Sequence, residues 1–138
     1  MPSIRRLLVV MGTIVALSVL VPSASAASHK AFLVTKTCSD NYTCTVQTSS
    51  FKDIPQYTVI TYVDVLPDSS VQEATVTIKN GSATGVCDFR EPDPGTFGTC
   101  EFGSGTGRLT QFHLSVVVTG DENGVYSWTG WYWYGNDH

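Results

Sequence analysis

Positive charge is scarce in this chain. Only 8 Lys and Arg stand against 12 Asp and Glu, and charged residues make up 14% of its 138 positions. A nucleic-acid binder needs a surplus of cations to neutralise phosphates, so nucleic acid is not an expected partner. Helical periodicity is missing as well, because beyond Ala26 no stretch repeats apolar residues at three- and four-residue spacing. Linkers, repeats and low-complexity segments are absent, which leaves one domain. The 4 cysteines lack the two-residue spacing of a zinc knuckle and have no histidine close by, so no metal site is expected. No Ser/His/Asp or Cys/His arrangement and no Gly-Lys-Ser/Thr signature emerges, so neither a nucleophilic catalytic set nor a cofactor is expected.

What is there begins with "MPSIRRLLVVMGTIVALSVLVPSASA". Arg5 and Arg6 form a positive start, Leu7 to Val21 is an almost unbroken apolar core, and Ala24-Ser25-Ala26 is a small-x-small cleavage pattern. Residues 1–26 are expected to be a signal peptide cut after Ala26, leaving 27–138 as a single secreted domain. A retained anchor is the alternative, opposed by Pro22 and the small residues. "LLVV" after the two arginines fits general secretion better than twin-arginine export. Without the leader, six of the 8 basic residues remain against the same 12 acids, and no apolar span is left to hold a membrane. Cys38, Cys44, Cys87 and Cys100 all lie in the exported part, where an even count reads as disulfides.

The exported part alternates short Val-, Thr-, Tyr- and Phe-rich runs with Gly, Pro, Asn and Asp clusters. Strands are predicted at His29–Cys38, Thr43–Phe51, Tyr57–Leu66, Val71–Asn80, Ser82–Arg90, Thr96–Phe102, Leu109–Thr119 and Val125–Tyr134. About eight strands with short links imply an all-β antiparallel meander closed into a small barrel. Composition allows three disulfide pairings, and the turns choose among them. Centring "EPDPG" on Asp93-Pro94 sets Cys87 opposite Cys100, and centring "SDNYT" on Asn41 sets Cys38 opposite Cys44. Two hairpin disulfides are therefore expected. A two-residue turn at Asn80-Gly81 would pair Ile78 with Ala83, Val76 with Gly85 and Ala74 with Cys87.

Carried outward, this register gathers Val59, Val63, Val76, Ile78, Phe89, Phe102, Phe112, Leu114, Val116, Val118, Tyr126, Trp128 and Tyr132 on the Cys87 face. Asp64, Glu73, Thr75, Thr77, Asp88, Arg90, Thr99, Glu101, Gln111, His113 and Ser115 fall on the other. In a half-buried sheet the apolar set fills the barrel. Gly103-Ser104-Gly105-Thr106-Gly107 then reads as a bend between two strands, because a phosphate cradle needs a helix after its glycines.

"ATVTIKNGSATGVCDF", "GTCEFGSGTGRLTQFHLSVVV" and "YSWTGWYWY" together resemble small secreted bacterial proteins that share a GGTG-type loop and a final Trp-x-Gly-x-Tyr strand. The glycine segment is also similar to that of allene oxide cyclase and dirigent barrels. That resemblance implies an eight-stranded barrel with a central cavity, and it transfers no catalytic residue. Ser104 stands where the second glycine of the GGTG pattern would be.

The candidate acid–base residues are Glu101 and His113. Centring the glycine bend on Gly105 opposes His113 to Phe97 and Glu101 to Leu109, out of hydrogen-bond reach, which favours a surface histidine. Asp88 and Arg90 are expected to form a surface ion pair. Trp131 and Trp133 fall on the polar face with Gln111 and His113, and together these four form the candidate ligand surface. Exposed indoles there would stack on sugar rings or apolar metabolites, unless loops or the N-terminal segment cover them. Asn41 ("NYT") and Asn80 ("NGS") match the glycosylation acceptor pattern, which is common by chance.

Two functional expectations follow. One is a secreted binding barrel for a small apolar or saccharide ligand, or for a protein partner. The other is a cyclase- or isomerase-like enzyme that folds a hydrophobic substrate in its cavity. A lumen packed shut opposes the enzyme. A lumen open to Glu101 or His113 favours it, with an apolar exterior then covered by oligomer contacts. An outer-membrane barrel is set aside because of its hairpin disulfides and its polar "GNDH" ending.

Overall fold

The computed structural model describes residues 28–135. The expected leader and its cleavage position at Ala26 lie outside the described residues. The described chain is all β, with strands β1 (Lys30–Cys38), β2 (Thr43–Ser49), β3 (Val59–Asp64), β4 (Val71–Ile78), β5 (Gly81–Asp88), β6 (Gly98–Gly107), β7 (Phe112–Gly120) and β8 (Val125–Tyr134). Each pairs antiparallel with its neighbour in sequence, and β8 returns to β1 to close the barrel. No helix among the described residues is long and apolar enough to cross a membrane.

The turns do fix both disulfides. Cys38 faces Cys44 across β1–β2, Cys87 faces Cys100 across β5–β6, and both pairs are bonded. Disulfides of this kind suggest an oxidising environment.

Three expectations of register are corrected. In the β4–β5 hairpin, Val76 pairs with Ala83 and Ala74 with Gly85, so Gln72 rather than Ala74 faces Cys87. The tip is Lys79-Asn80, one position earlier than Asn80-Gly81. The pairing has slid by two residues, which leaves every side chain on its expected face.

The second correction does exchange faces. On β3 it is Ile60 and Tyr62 that are buried, while Val59 and Val63 face solvent. Asp64 shares the inward parity of Tyr62, not the outer polar face. The cause is the 65–71 connection. Ser69 adopts a left-handed φ of 62°, and the N–H groups of Val65 and Leu66 both donate to the Val71 carbonyl. That doubled acceptor adds one residue to the count.

The third correction concerns the glycine run, which is strand and not bend. Residues 104–107 continue β6 alongside β5, after a bulge that sets Thr84 against Ser104 and Gly85 against Phe102. A Cβ at Gly105 would overlap the Leu109 carbonyl oxygen, so glycine is required there by close backbone approach. The chain turns only from Gly107, at φ 58°, through to Gln111, at φ 60°. Leu109 and Gln111 are thus in the turn and not in a strand. The β6–β7 pairing shifts accordingly, with Glu101 opposite Ser115 and Phe102 opposite Leu114.

An up-and-down barrel has two ends, and this sequence treats them differently. At the end holding the β2–β3, β4–β5 and β6–β7 connections, Phe51 and Ile54 fold in from the β2–β3 segment and are buried. Phe51 stacks on Phe112 at 5.6 Å and contacts Tyr132 at 4.3 Å, with Phe32 6.2 Å away. Burying side chains of this size stabilises by about 1.5–3 kcal/mol each. Outside the plug, Asp53 pairs with Arg108 at 3.5 Å and accepts from the Tyr134 hydroxyl at 3.3 Å. The opposite end carries the tips of the β1–β2, β3–β4, β5–β6 and β7–β8 hairpins, and it is open.

Candidate functional site in the open end of the barrel

The hairpin tips rim a cup of about 410 Å³. Phe89, Phe97, Val118 and Tyr126 give it apolar walls, the Cys38–Cys44 bridge forms part of one side, and Gln72 adds an amide. The volume lies within the range of small-molecule sites.

Lys36 lies at the floor. Its residue is only 2% exposed, although β1 starts at the exposed Lys30 and is followed by the exposed Ser39. The placement follows from strand alternation: Phe32, Val34 and Lys36 project to one side, and the first two are core. The Lys36 Nζ donates to the Tyr62 hydroxyl and stands 3.6 Å from the centre of the Trp128 ring. Neither of the two ion pairs among the described residues involves Lys36. Loss of water around the amine therefore lowers its pKa well below the ordinary 10.5, and no carboxylate opposes that effect. Burial likewise raises the Tyr62 phenol, which stays protonated as a hydrogen-bond partner.

Beside this floor, Gln72 is also buried, and its amide donates to Asp64 at 2.9 Å. Asp64 further accepts from the Tyr42 hydroxyl at 2.9 Å. Its carboxyl is held below the ordinary value chiefly by Gln72, then by Ser69 and Tyr42. Asp64 is thus occupied by neutral donors, not by the lysine.

A buried amine without a counter-charge costs stability, so Lys36→Met is expected to stabilise the fold at pH 7 by about 1–3 kcal/mol. The sign with pH follows from linkage. Between the lowered native pKa and 10.5 the unfolded chain binds more protons than the native one. The Lys36 contribution to stability is therefore complete above 10.5, shrinks as pH falls through that window, and is lost below the native pKa. Tyr62 titrates only at the alkaline limit, so the comparison belongs below about pH 9.5. Urea unfolding of wild type and Lys36→Met at several pH values should give a difference that narrows as pH rises. A Lys36→Met protein less stable than wild type at pH 7 would show that the amine is a structural prop.

The residues singled out from sequence lie elsewhere, on the outside of the barrel. Glu101 is exposed and accepts from the Ser115 hydroxyl at 2.7 Å. His113 sits beside Gly103, one same-face step from Ser115, and is not hydrogen-bonded to Glu101. His113 instead stacks on Trp133 at 5.3 Å, and His29 stacks on the same indole at 4.2 Å. The N-terminal segment therefore covers one of the two tryptophans. Trp131, 54% exposed, walls a shallow outer groove of about 590 Å³ with Ala31, Leu33, Val117 and Thr129. Gln111 is in the turn before β7, where its carbonyl accepts from the Gly135 N–H. The four residues of the candidate ligand surface are thus not gathered around one cavity. Asp88 and Arg90 do form the expected surface pair, at 2.8 Å.

Sequence reasoning missed Lys36, Tyr62 and Gln72. A signal for the first was available, since a lysine continuing the parity of Phe32 and Val34 has to be accounted for inside the barrel. Tyr62 was lost with the face exchange on β3. Among the described residues no cluster of three or more His, Cys, Asp or Glu has the geometry to hold a metal. No protein-family model, curated protein or solved structure matches the chain.

Proposed function

We propose that the chain is an exported, disulfide-braced barrel that binds one small, largely apolar ligand in its open end, with the ligand's polar group at Lys36 and Tyr62. One observation carries this reading: a buried amine with no carboxylate partner forms the floor of an open cup of about 410 Å³. A core lysine that only filled space would be better replaced by an aliphatic side chain, which avoids the desolvation cost. A ligand able to complete the amine's interactions gives that cost a use. The expected leader and the two disulfides support export.

The cyclase- or isomerase-like alternative draws on the same floor, because an amine touching a phenol is a proton-transfer pair. Glu101 and His113 lend it no support from outside the lumen. A saccharide or protein partner would instead use the outer groove at Trp131.

The three tryptophans make these readings separable. Trp131→Phe combined with Trp133→Phe leaves Trp128, beneath Lys36, as the single reporter. Titrating this variant with decanol is expected to give a saturable fluorescence change, abolished when Thr96→Phe narrows the mouth of the cup. A response that requires Trp131 or Trp133, and leaves Trp128 silent, would move the site to the outer face.

A further inference from the structure

We propose that the Lys36 amine captures a carbonyl ligand, an aldehyde or ketone on an apolar chain, as a reversible imine at the floor of the cup. The inference deepens the binding reading above and rests on it. Four lysines lie in the described chain, and they fall into two kinds. Lys30, Lys52 and Lys79 are exposed and hydrated. Lys36 is enclosed by the Trp128 face and the Tyr62 hydroxyl, away from any carboxylate that would hold it as an ammonium. Desolvation there favours the free base against the cation–π attraction of the indole, and the nitrogen lone pair is what attacks a carbonyl carbon.

The neighbouring phenol completes the chemistry. Addition of Nζ to the carbonyl carbon forms a C–N bond, and the carbonyl π electrons pass to oxygen. Tyr62 Oη, already in contact with Nζ, relays the proton from nitrogen to that oxygen and gives the carbinolamine. The proton remaining on nitrogen then passes to the hydroxyl, the C–O bond breaks to release water, and the nitrogen electrons form C=N. Amine and carbonyl thus become imine and water, with no oxidant, reductant or further reactant. The open mouth lets the water leave, and Phe89, Phe97, Val118 and Tyr126 match the apolar remainder of the ligand. A carboxylate ligand would need a permanently charged ammonium instead. Burial of the amine disfavours that form until the anion arrives.

The test is reductive trapping of the oxidised protein with limiting decanal and sodium cyanoborohydride near neutral pH, followed by peptide mass spectrometry. The alkyl adduct is expected on Lys36 at about tenfold or more above Lys30, Lys52 or Lys79, reversing the order of exposure. Tyr62→Phe is expected to slow the trapping of decanal at Lys36. Lys36→Arg, which keeps a long nitrogen-bearing side chain but no nucleophilic amine, should abolish the adduct at this position. Adducts spread over the exposed lysines with Lys36 spared, while decanol still binds, would overturn the imine and leave the binding reading intact. Saturable binding of decanoate with no trapping of decanal would overturn it in favour of simple charge pairing. Failure of decanol, decanal and decanoate alike to perturb Trp128 would remove both readings together.

Discussion

Phe51→Ala is expected to lower stability by about 3–5 kcal/mol. Phe51 is 5% exposed, yet it belongs to no strand. It is held instead by the parallel face of Phe112 and by the tilted ring of Tyr132. Removing it leaves a void between two strands that the 50–58 segment cannot fill, because Ile54 is already buried beside it. Chemical denaturation checks the magnitude, and a loss below about 1 kcal/mol would mean that the segment does not seat as a plug. The same variant also tests the division of the barrel into two ends. Decanol binding at the cup should survive in it, because the plug and the Lys36 floor are at opposite ends.

Joint replacement of Cys87 and Cys100 by alanine is expected to cost about 3 kcal/mol, against about 2 kcal/mol for Cys38 with Cys44. The first bridge closes a sequence separation of 13 and the second one of 6, and a longer loop loses more entropy when closed in the unfolded chain. Burial acts in the same direction. Cys87 and Cys100 are fully enclosed, whereas Cys38 reaches the rim of the cup. Guanidinium midpoints of the two double variants should fall in that order. If removal of the rim bridge proved the more damaging, the hairpin tip would be a structural keystone and not a wall of the site.

The elements that were legible share one property, that each depends only on residues near in sequence. Val125–Tyr134 alternates cleanly between Trp128 and Tyr132 inside and Trp131 outside. The Asp93-Pro94 and Asn41 turns each set one cysteine against another by counting along two adjacent strands. The Asn80 hairpin slid by two residues without harm, because a shift of two preserves the face.

Errors arose where the chain departs from what composition signals. Ser69 takes a left-handed conformation usually left to glycine, and the extra residue it accommodates reverses the faces of β3. Conversely, Gly103 to Gly107 looks like a bend but runs as strand, since β5 presents a partner and the glycines permit close approach. With the turn moved to residues 108–111, the expected cluster of Trp131, Trp133, Gln111 and His113 comes apart.

By itself the sequence determined the all-β class, the eight strands, both cysteine pairings and the inward parity of Lys36, because period-two alternation and short turns act locally. Closure of β8 onto β1, and of β3 across the lumen, decided what that lysine meets. Its nitrogen lies against Tyr62, 26 residues further along, and over Trp128. Contacts across a barrel are set by strand tilt and curvature accumulated around the whole sheet, which no local pattern records.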